Sequence, residues 1–175
     1  DQVIAAQAES VVICLLHCYA NPEHEQLVAA AIRRRAPEVT LTLSSELLPI
    51  IEEYERTSTA VINGYVRPVV ERYLKRLTDG LRGMGVDAPL MVMQSNGGLA
   101  TAKVASERPA FCIESGPAAG VMGAYHLGRM LDIGDLVTFD MGGTTAKASL
   151  IENGELLRSK DYEVGAGLNV GHRLL

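Results

Sequence analysis

The chain has 175 residues, of which 47% are hydrophobic and 21% are charged, and this composition excludes an intrinsically disordered protein. Acidic residues outnumber Lys and Arg by 21 to 16, and the net charge of −5 argues against nucleic acid or an anionic membrane as a partner. No apolar run is long and uncharged enough to span a bilayer. The odd number of cysteines, three, and the lack of a signal-peptide pattern lead us to expect a cytoplasmic protein.

The two ends of the chain lead us to expect a piece of a longer polypeptide. The first eight residues lack an initiator Met and have the pattern of the last turns of an amphipathic helix. The last seven residues end on two leucines, with no later segment to bury them.

The beginning of the chain is predicted to form a strand, a helix and a second strand. The run VVICLLHC at 11–18 is apolar throughout, which is typical of a strand buried on both faces of a sheet. A helix is predicted from Asn21 to Arg35, because the acids of its first turn and the arginines of its last turn suit the helix dipole. The alternating VTLTL at 39–43 predicts the second strand.

A long helix is predicted at 58–81, where apolar residues recur at three- and four-residue spacing. Pro68 lies inside this helix and removes one backbone hydrogen bond, so we expect a kink near Gly64 rather than two separate helices. A strand at 90–94 and a turn at 95–98 are expected next.

The following helix is expected to begin near Gly116 and Pro117 and to end before Gly134. Small residues recur along it at four-residue intervals: Gly116, Gly120, Ala124 and Gly128. A glycine inside a helix costs roughly 1 kcal/mol relative to alanine. The stripe therefore predicts that another segment approaches this helix closely.

The last predicted elements are strands at 136–139 and 146–151 and a third strand from Glu155. Asn153-Gly154 between the last two is a type I′ hairpin signal. Helices that alternate with apolar strands, with a hairpin near the end, indicate an α/β fold with a mixed sheet.

The most informative segment for function is LVTFDMGGTTAKASLI at 136–151. An apolar strand delivers Asp140 to its end, where the carboxylate could hold a hydrated Mg²⁺. Glycine amides and threonine hydroxyls in the turn that follows could bind an anion such as the phosphates of a nucleotide. The residues of this candidate phosphate turn are Asp140, Gly142, Gly143, Thr144 and Thr145. A purely structural hairpin is the alternative.

Two further segments place polar groups where α/β folds bind ligands. The turn after the strand at 90–94 offers Gln94, Asn96, Gly97 and Gly98, although a plain turn explains them equally well. Ser115 and Gly116 precede a helix whose first amides could bind an anion, although capping alone explains the serine.

Other patterns are weaker. Gly165, Gly167 and Gly171 have the wrong last interval for a dinucleotide fingerprint, and the chain has no P-loop motif. Lys147 lies on a strand between two alanines, which favours a solvated side chain over a catalytic one. Cys14, His17 and Cys18 suggest a metal site, but on a strand the histidine would face away from both cysteines, which favours buried thiols.

Several segments together resemble the hydantoinase A and 5-oxoprolinase family, which includes N-methylhydantoinases. They are LLHCYANPEHE, SSELLPIIEEYERTSTAVINGYVRPVVERYL, MQSNGGLA, ESGPAAGVMGA and TFDMGGTTAKASLIENGE, and they follow one another over nearly the whole chain. The resemblance implies that 1–57 is the end of the family's N-terminal domain and that 58–175 is the start of its central hydantoinase A domain.

The resemblance implies an actin-like ATPase, in which two ribonuclease-H-like halves close on Mg-ATP. It assigns Asp140, Gly142, Gly143, Thr144 and Thr145 to one phosphate-binding turn and implies that the other such turn lies outside this sequence. The family has aspartate where this chain has Lys147, and that departure indicates a subgroup with its own substrate.

The activity that the resemblance implies is ATP-dependent opening of a cyclic amide, namely a hydantoin, N-methylhydantoin or 5-oxoproline, by phosphorylation of the ring carbonyl. ATP and Mg²⁺ would be the cofactors, and the rest of the parent chain and a hydantoinase B-type subunit would be the partners. Two alternatives are a subunit of an ATP-dependent ketone carboxylase and a packing or assembly module without a ligand of its own.

Overall fold

The computed structural model describes residues 2–143, 145–158, 162–165 and 168–171. The helices are α1 (Gln2–Ala5), α2 (Glu23–Arg35), α3 (Ser44–Leu47), α4 (Glu53–Gly83), α5 (Ala102–Glu107) and α6 (Ser115–Met130), with a 3-10 helix at Pro109–Cys112. The strands are β1 (Ser10–Ile13), β2 (Thr40–Leu43), β3 (Met91–Met93), β4 (Leu99–Thr101), β5 (Leu136–Met141), β6 (Ala146–Glu152), β7 (Glu155–Leu156), β8 (Tyr162–Gly165) and β9 (Leu168–Val170). None of the described helices combines the length and the apolarity needed to cross a membrane.

The chain forms two compact units, which we describe separately. Of the described residues, the first unit comprises 2–88, 106–110, 163–165 and 168–171, and the second comprises 89–105, 111–143, 145–158 and 162. This division does not test the predicted family boundary after residue 57, which falls within α4 and stays a prediction.

The first unit is built on β1 and β2, which pair in parallel with α2 between them along the chain. Parallel neighbours need a crossover connection, and the predicted strand, helix and strand provide it. The core between the strands and the helix is formed by Ile13, Ala29, Leu41 and Leu43. The early part of the chain thus confirms the expected order of elements.

The first strand is shorter than its sequence predicts. β1 ends at Ile13 rather than at Cys18, because the chain turns at 16–20 and His17 adopts a left-handed backbone conformation with φ of 58°. Apolar composition alone made 14–18 look like a continuation of the strand, whereas the turn brings Cys18 into the interior.

Helix α4 is one continuous helix of 31 residues that includes Pro68. It begins five residues before its predicted start at 58, and the predicted kink stays a prediction. A side chain at Gly64 would place Cβ only 2.4 Å from Cγ2 of Val12 on β1. Glycine at this position therefore allows the helix to approach the strand closely.

The second unit contains two antiparallel sheets, β3-β4 and β5-β6-β7. Asn153 and Gly154 connect β6 to β7 with φ of 52° and 73°, the positive values of the predicted type I′ turn. The α/β class is confirmed, but the described strands form separate small sheets rather than one mixed sheet: parallel β1-β2, antiparallel β3-β4 and β5-β6-β7, and the two-stranded β8-β9.

The small-residue stripe of α6 has a different role from the one predicted. Only at Gly128 would an added Cβ meet close neighbours, the nearest being Cδ1 of Leu136 at 2.5 Å. At Gly116 and Gly120 the same test finds no atom within 4 Å. The expectation of a close neighbour along the whole stripe was wrong for these two positions, which face open space in the described structure.

Candidate functional site

A cavity of about 470 Å³ lies in the second unit, between helix α6 and the β5-β6 hairpin. This volume is within the range of pockets that hold small-molecule ligands. The described residues that line it are Gly116, Pro117, Gly120, Val121, Ala124, Thr138, Phe139, Asp140, Lys147 and Ser149. The open half of the glycine stripe is therefore one wall of this cavity.

The register of the hairpin determines which side chains share the cavity face. Asp140 pairs directly with Lys147, and Thr138 pairs with Ser149. Residues that pair directly in an antiparallel ladder point to the same side of the sheet. One carboxylate, one ammonium group and two hydroxyl groups thus line one wall, and Asp140 is exposed.

The turn after Asp140 is closed by its own backbone. The N–H of Gly142 donates a hydrogen bond of 2.9 Å to the carbonyl of Thr145. Neither Gly142 nor Gly143 adopts a left-handed φ, and a Cβ on Gly143 would have no atom within 4 Å. The fold thus does not require glycine at 143. Thr144 of the predicted phosphate turn lies outside the described residues.

Lys147 is not the solvated lysine that its sequence context suggests. Its ammonium group forms an ion pair with the carboxylate of Glu114, and the two side chains are about one-third exposed, 34% and 31%. Glu114 is the residue before the first turn of α6 and has a left-handed backbone with φ of 64°. The ion pair therefore links β6 to the start of α6.

The predicted site residues Ser115 and Gly116 form the first turn of α6, and Gly116 lines the cavity. In contrast, no residue of the turn at 94–98 is one of the described residues that line the cavity. Asn96 Oδ1 accepts a hydrogen bond from the N–H of Gly98, and the N–H of Gln94 donates to the carbonyl of Gly98. Gly97 provides the positive φ of 81° that this turn needs.

Ser95 lies inside that turn, and the sequence pattern did not predict a role for it. It is buried, and its single hydroxyl hydrogen is shared between the carbonyls of Phe111 and Ile113. The turn therefore positions the segment that leads to Glu114 and α6. The side chains of Ser95 and Asn96 thus form hydrogen bonds within the fold.

The geometry can be compared with known proteins. The model of the family described as Hydantoinase/oxoprolinase matches residues 56–175, which include every residue that lines the cavity. The chain belongs to the hydantoinase/oxoprolinase family. This confirms the resemblance carried by the sequence segments.

Relatives in this family match the chain over nearly its whole length. An uncharacterised protein of Methanocaldococcus jannaschii is 46% identical over 163 residues, which are 93% of this chain and 24% of the relative. The caprolactamase alpha subunit of Pseudomonas jessenii is 37% identical over 90% of this chain and 23% of the relative. The chain spans about a quarter of the length of these relatives.

Two solved structures have the same fold over 98% of the chain. The ATP-dependent caprolactamase of Pseudomonas jessenii superposes with a TM-score of 0.86 at 34% identity, and the match covers 25% of that chain. A nucleotide-free acetone carboxylase, described in a study of ATP-dependent acetone carboxylation, superposes with a TM-score of 0.82 at 31% identity over 24% of its chain.

A second polar cluster lies in the first unit, before the segment that the hydantoinase/oxoprolinase model matches. Glu25 on α2 is fully buried. One carboxylate oxygen accepts hydrogen bonds from the N–H of Leu15 and the hydroxyl of Ser44, and the other accepts one from the N–H of Ser45, at 2.8 to 2.9 Å. Burial alone would raise the pKa of Glu25, but these hydrogen bonds outweigh it and hold the pKa below the usual 4.5.

Two other polar side chains of the first unit also have partners within the fold. The thiol of Cys18 lies 3.1 Å from Ser44 Oγ, and burial raises the pKa of this thiol. Arg56, 1% exposed, donates to the carbonyl of Ile50 at 2.7 Å. Within the described residues no group of three or more His, Cys, Asp or Glu could hold a metal ion. Cys18 is buried, whereas Cys14 is partly buried and its Sγ lies 3.0 Å from Thr57 Oγ1.

Sequence reasoning missed both Glu25 and Glu114. The acids in the first turn of α2 suggest a favourable helix dipole, and nothing separates Glu25 from Glu23 by residue type. Glu114 lies 33 positions before Lys147, and no local pattern connects them. The segment ESGPAAG, which includes Glu114 and carries part of the family resemblance, was the only signal for it.

Proposed function

We propose that the cavity beside Asp140 binds the phosphate groups of ATP in an enzyme that opens a cyclic amide. The observation that carries this proposal is the set of exposed groups around the cavity. Asp140 and Lys147 line it, and Gly116, Gly120 and Gly143 each have room for a methyl group that the fold leaves unused. Because glycine costs stability in a helix, space reserved for a ligand explains Gly116 and Gly120.

The residues have distinct proposed roles. Gly142, Gly143, Thr144 and Thr145 form the turn that lies against the phosphates, and Gly116 forms the facing wall. Asp140 would hold Mg²⁺, and a single exposed carboxylate suits this ion, which keeps several waters and shares the phosphate oxygens. Bound Mg²⁺ would supply positive charge to the phosphates. Gln94, Asn96, Gly97, Gly98 and Ser115 support the segment around this site.

The proposed reaction activates an amide for hydrolysis. The ring carbonyl oxygen attacks the terminal phosphorus of ATP, and ADP leaves. A first water then adds to the ring carbon, the bond from that carbon to the ring nitrogen breaks as the nitrogen takes a proton, and an acyl phosphate remains. A second water hydrolyses the acyl phosphate to a carboxylate and phosphate. One ATP and two waters are consumed, and the products are the ring-opened acid, ADP and phosphate. Phosphorylation makes the carbon electrophilic enough for water to attack.

The proposal includes the rest of the parent enzyme. We infer a ribonuclease-H-like, actin-like ATPase fold, in which a second half outside residues 1–175 closes on the nucleotide. We also infer the family boundary after residue 57, a B-type partner subunit and a cytoplasmic enzyme. The ATP dependence named for the caprolactamase and for acetone carboxylation supports the nucleotide.

A second candidate function is a subunit of an ATP-dependent ketone carboxylase. The TM-score of 0.82 with acetone carboxylase favours it. The two functions use the same nucleotide site and differ in the molecule that is activated. Phosphate release that requires bicarbonate and a ketone would identify the carboxylase, whereas release stimulated by a lactam or hydantoin alone would identify the hydrolase.

The test uses the full-length protein with its partner subunits. Phosphate release from Mg-ATP is measured with hydantoin, N-methylhydantoin, 5-oxoproline and caprolactam, and then with acetone and bicarbonate. Asp140→Asn is expected to lower kcat/KM for ATP by about 100-fold, because the metal-binding charge is lost. The exposed side chain of Asp140 predicts an unchanged melting temperature. Unchanged ATP turnover in Asp140→Asn would contradict the proposed site.

A further inference from the structure

Lys147 lines the cavity and has acidic residues on two neighbouring segments, Asp140 on β5 and Glu114 before α6. It lies opposite Asp140 across the β5-β6 ladder, and its ammonium group pairs with Glu114. Both members of the ion pair keep about one-third of their side-chain surface exposed to solvent. The lysine is thus neither buried in the fold nor directed away from the cavity.

The energetics of this pair allow the lysine to change partner. An ion pair at this exposure is a weak interaction, because water screens it and both side chains lose freedom. A lysine carries its charge on a flexible four-carbon chain and is a common phosphate-binding residue. Moving the ammonium group from Glu114 to a phosphate oxygen would exchange one charge-assisted hydrogen bond for another, to a group that carries more negative charge than a carboxylate.

The charges around the cavity also favour such a group. Asp140 and Glu114 are both acidic, and Lys147 is the cation among the described residues that line the cavity. A nucleotide polyphosphate that entered past two carboxylates would be repelled without a cation beside them. The positive charge of Lys147 would offset the repulsion between this wall and an anion. The carboxylate of Asp140 would then remain available to bind a metal ion.

We propose that Lys147 is a phosphate-binding residue, held by Glu114 before the nucleotide binds and donating to a phosphate oxygen of ATP once it has bound. This inference rests on the proposed nucleotide site and adds a specific ligand to it. The competing explanation is that the Lys147–Glu114 pair is only a strut between β6 and α6. The two explanations differ in what happens when the charges are exchanged.

The experiment measures the Kd of Mg-ATP and of adenosine by calorimetry, together with the melting temperature, in the full-length protein. Lys147→Met is expected to weaken Mg-ATP binding by about 10- to 100-fold and to leave adenosine binding unchanged. Lys147→Arg should recover most of the ATP affinity. Glu114→Gln should keep or tighten ATP binding, because the lysine is then released. Lys75→Met, which breaks the Lys75–Asp79 pair within α4, is the matched control.

The exchanged variant, Lys147→Glu with Glu114→Lys, decides between the explanations. A strut would be restored by the exchange, so the double variant would bind ATP like the wild type, and that result would overturn the inference. A phosphate-binding role predicts that ATP affinity stays low although the pair is restored. If Asp140→Asn weakens ATP binding and Lys147→Met does not, this inference fails alone. A wild-type protein that binds no ATP overturns the nucleotide site as well.

Discussion

The two charged clusters of this protein are built in opposite ways. Around Glu25 the carboxylate is fully buried, and both of its oxygens accept hydrogen bonds from the chain itself. Around Asp140 the carboxylate is exposed, its cross-strand neighbour Lys147 is held by one weak pair, and nearby glycines leave space unused. A charge whose partners all come from the fold stabilises the fold, whereas a charge beside unused space is available to a ligand.

The strongest way to break this comparison is to remove the buried carboxylate. Glu25→Ala leaves the N–H groups of Leu15 and Ser45 and the hydroxyl of Ser44 without their acceptor. Of the three hydrogen bonds, the one from Ser44 is buried and the two from N–H groups are partly buried. An orphaned buried donor costs about 1 to 3 kcal/mol and a partly buried one costs less, so we expect a loss of about 2 to 4 kcal/mol in the first unit. Native-state hydrogen exchange of β1 and α2 measures this loss. Glu23→Gln, an exposed acid of the same turn, is the control and should change stability by less than about 0.5 kcal/mol.

The second test compares two glycines of helix α4. Gly64→Ala would place Cβ 2.4 Å from Val12 and should cost about 1 to 3 kcal/mol of stability, as expected for overpacking. Gly80→Ala meets no atom within 4 Å and should stabilise the helix by about 0.5 to 1 kcal/mol. Urea unfolding followed by α-helical circular dichroism reports both changes. Equal effects at the two positions would show that the close approach of α4 to β1 is not rigid.

The third test compares two glycines of helix α6, of which one lines the cavity. Gly120→Ala and Gly123→Ala both add a methyl group to α6 where no atom lies within 4 Å, so each should stabilise the helix by about 1 kcal/mol. Gly120 lines the cavity, whereas Gly123 is not one of the described residues that line it. We expect only Gly120→Ala to weaken Mg-ATP binding, by about tenfold, because the methyl group occupies ligand space. Calorimetric Kd values that rise equally for both variants would argue against a ligand at this wall.

The smallest expected effect is the response to acid. The pKa of Glu25 is lower in the folded protein than its usual value of 4.5, so its ionised form stabilises the fold. That contribution is fully present above pH 4.5 and is lost as the pH falls through the folded value. The stability difference between wild type and Glu25→Gln should therefore shrink below pH 4.5 in thermal melts. A stability difference that grows on acidification would show that ionisation of Glu25 does not stabilise the fold.

Features set by neighbouring residues were predictable from the sequence. The Asn153-Gly154 turn requires two positive φ values, which these two residue types tolerate well. Helix α4 was predictable because its apolar residues recur at three- and four-residue spacing over many turns. The position of Asp140 at the end of a strand was predictable for the same reason. Each of these depends on a few adjacent residues.

Features that depend on distant contacts were not predictable. The strand β1 ends where Leu15 and Cys18 form hydrogen bonds with residues of α2 and α3. The apolar residues at 14–18 gave no sign of these contacts. The glycines of α6 looked like a helix-packing stripe, because composition cannot distinguish space for a neighbouring segment from space for a ligand. Lys147 looked solvated because Glu114 lies far away in the sequence.

The register of the β5-β6 hairpin has a consequence for how this part of the chain can vary. Asp140 and Lys147 share one face only because four residues, 142–145, separate the paired ends Met141 and Ala146. A deletion or insertion of a single residue that shifted the pairing by one position would place an alanine opposite Asp140 and send the ammonium group to the other side of the sheet. Length changes here should therefore be far less tolerated than substitutions, and evolution or engineering can alter the chemistry of this hairpin more safely by exchanging side chains.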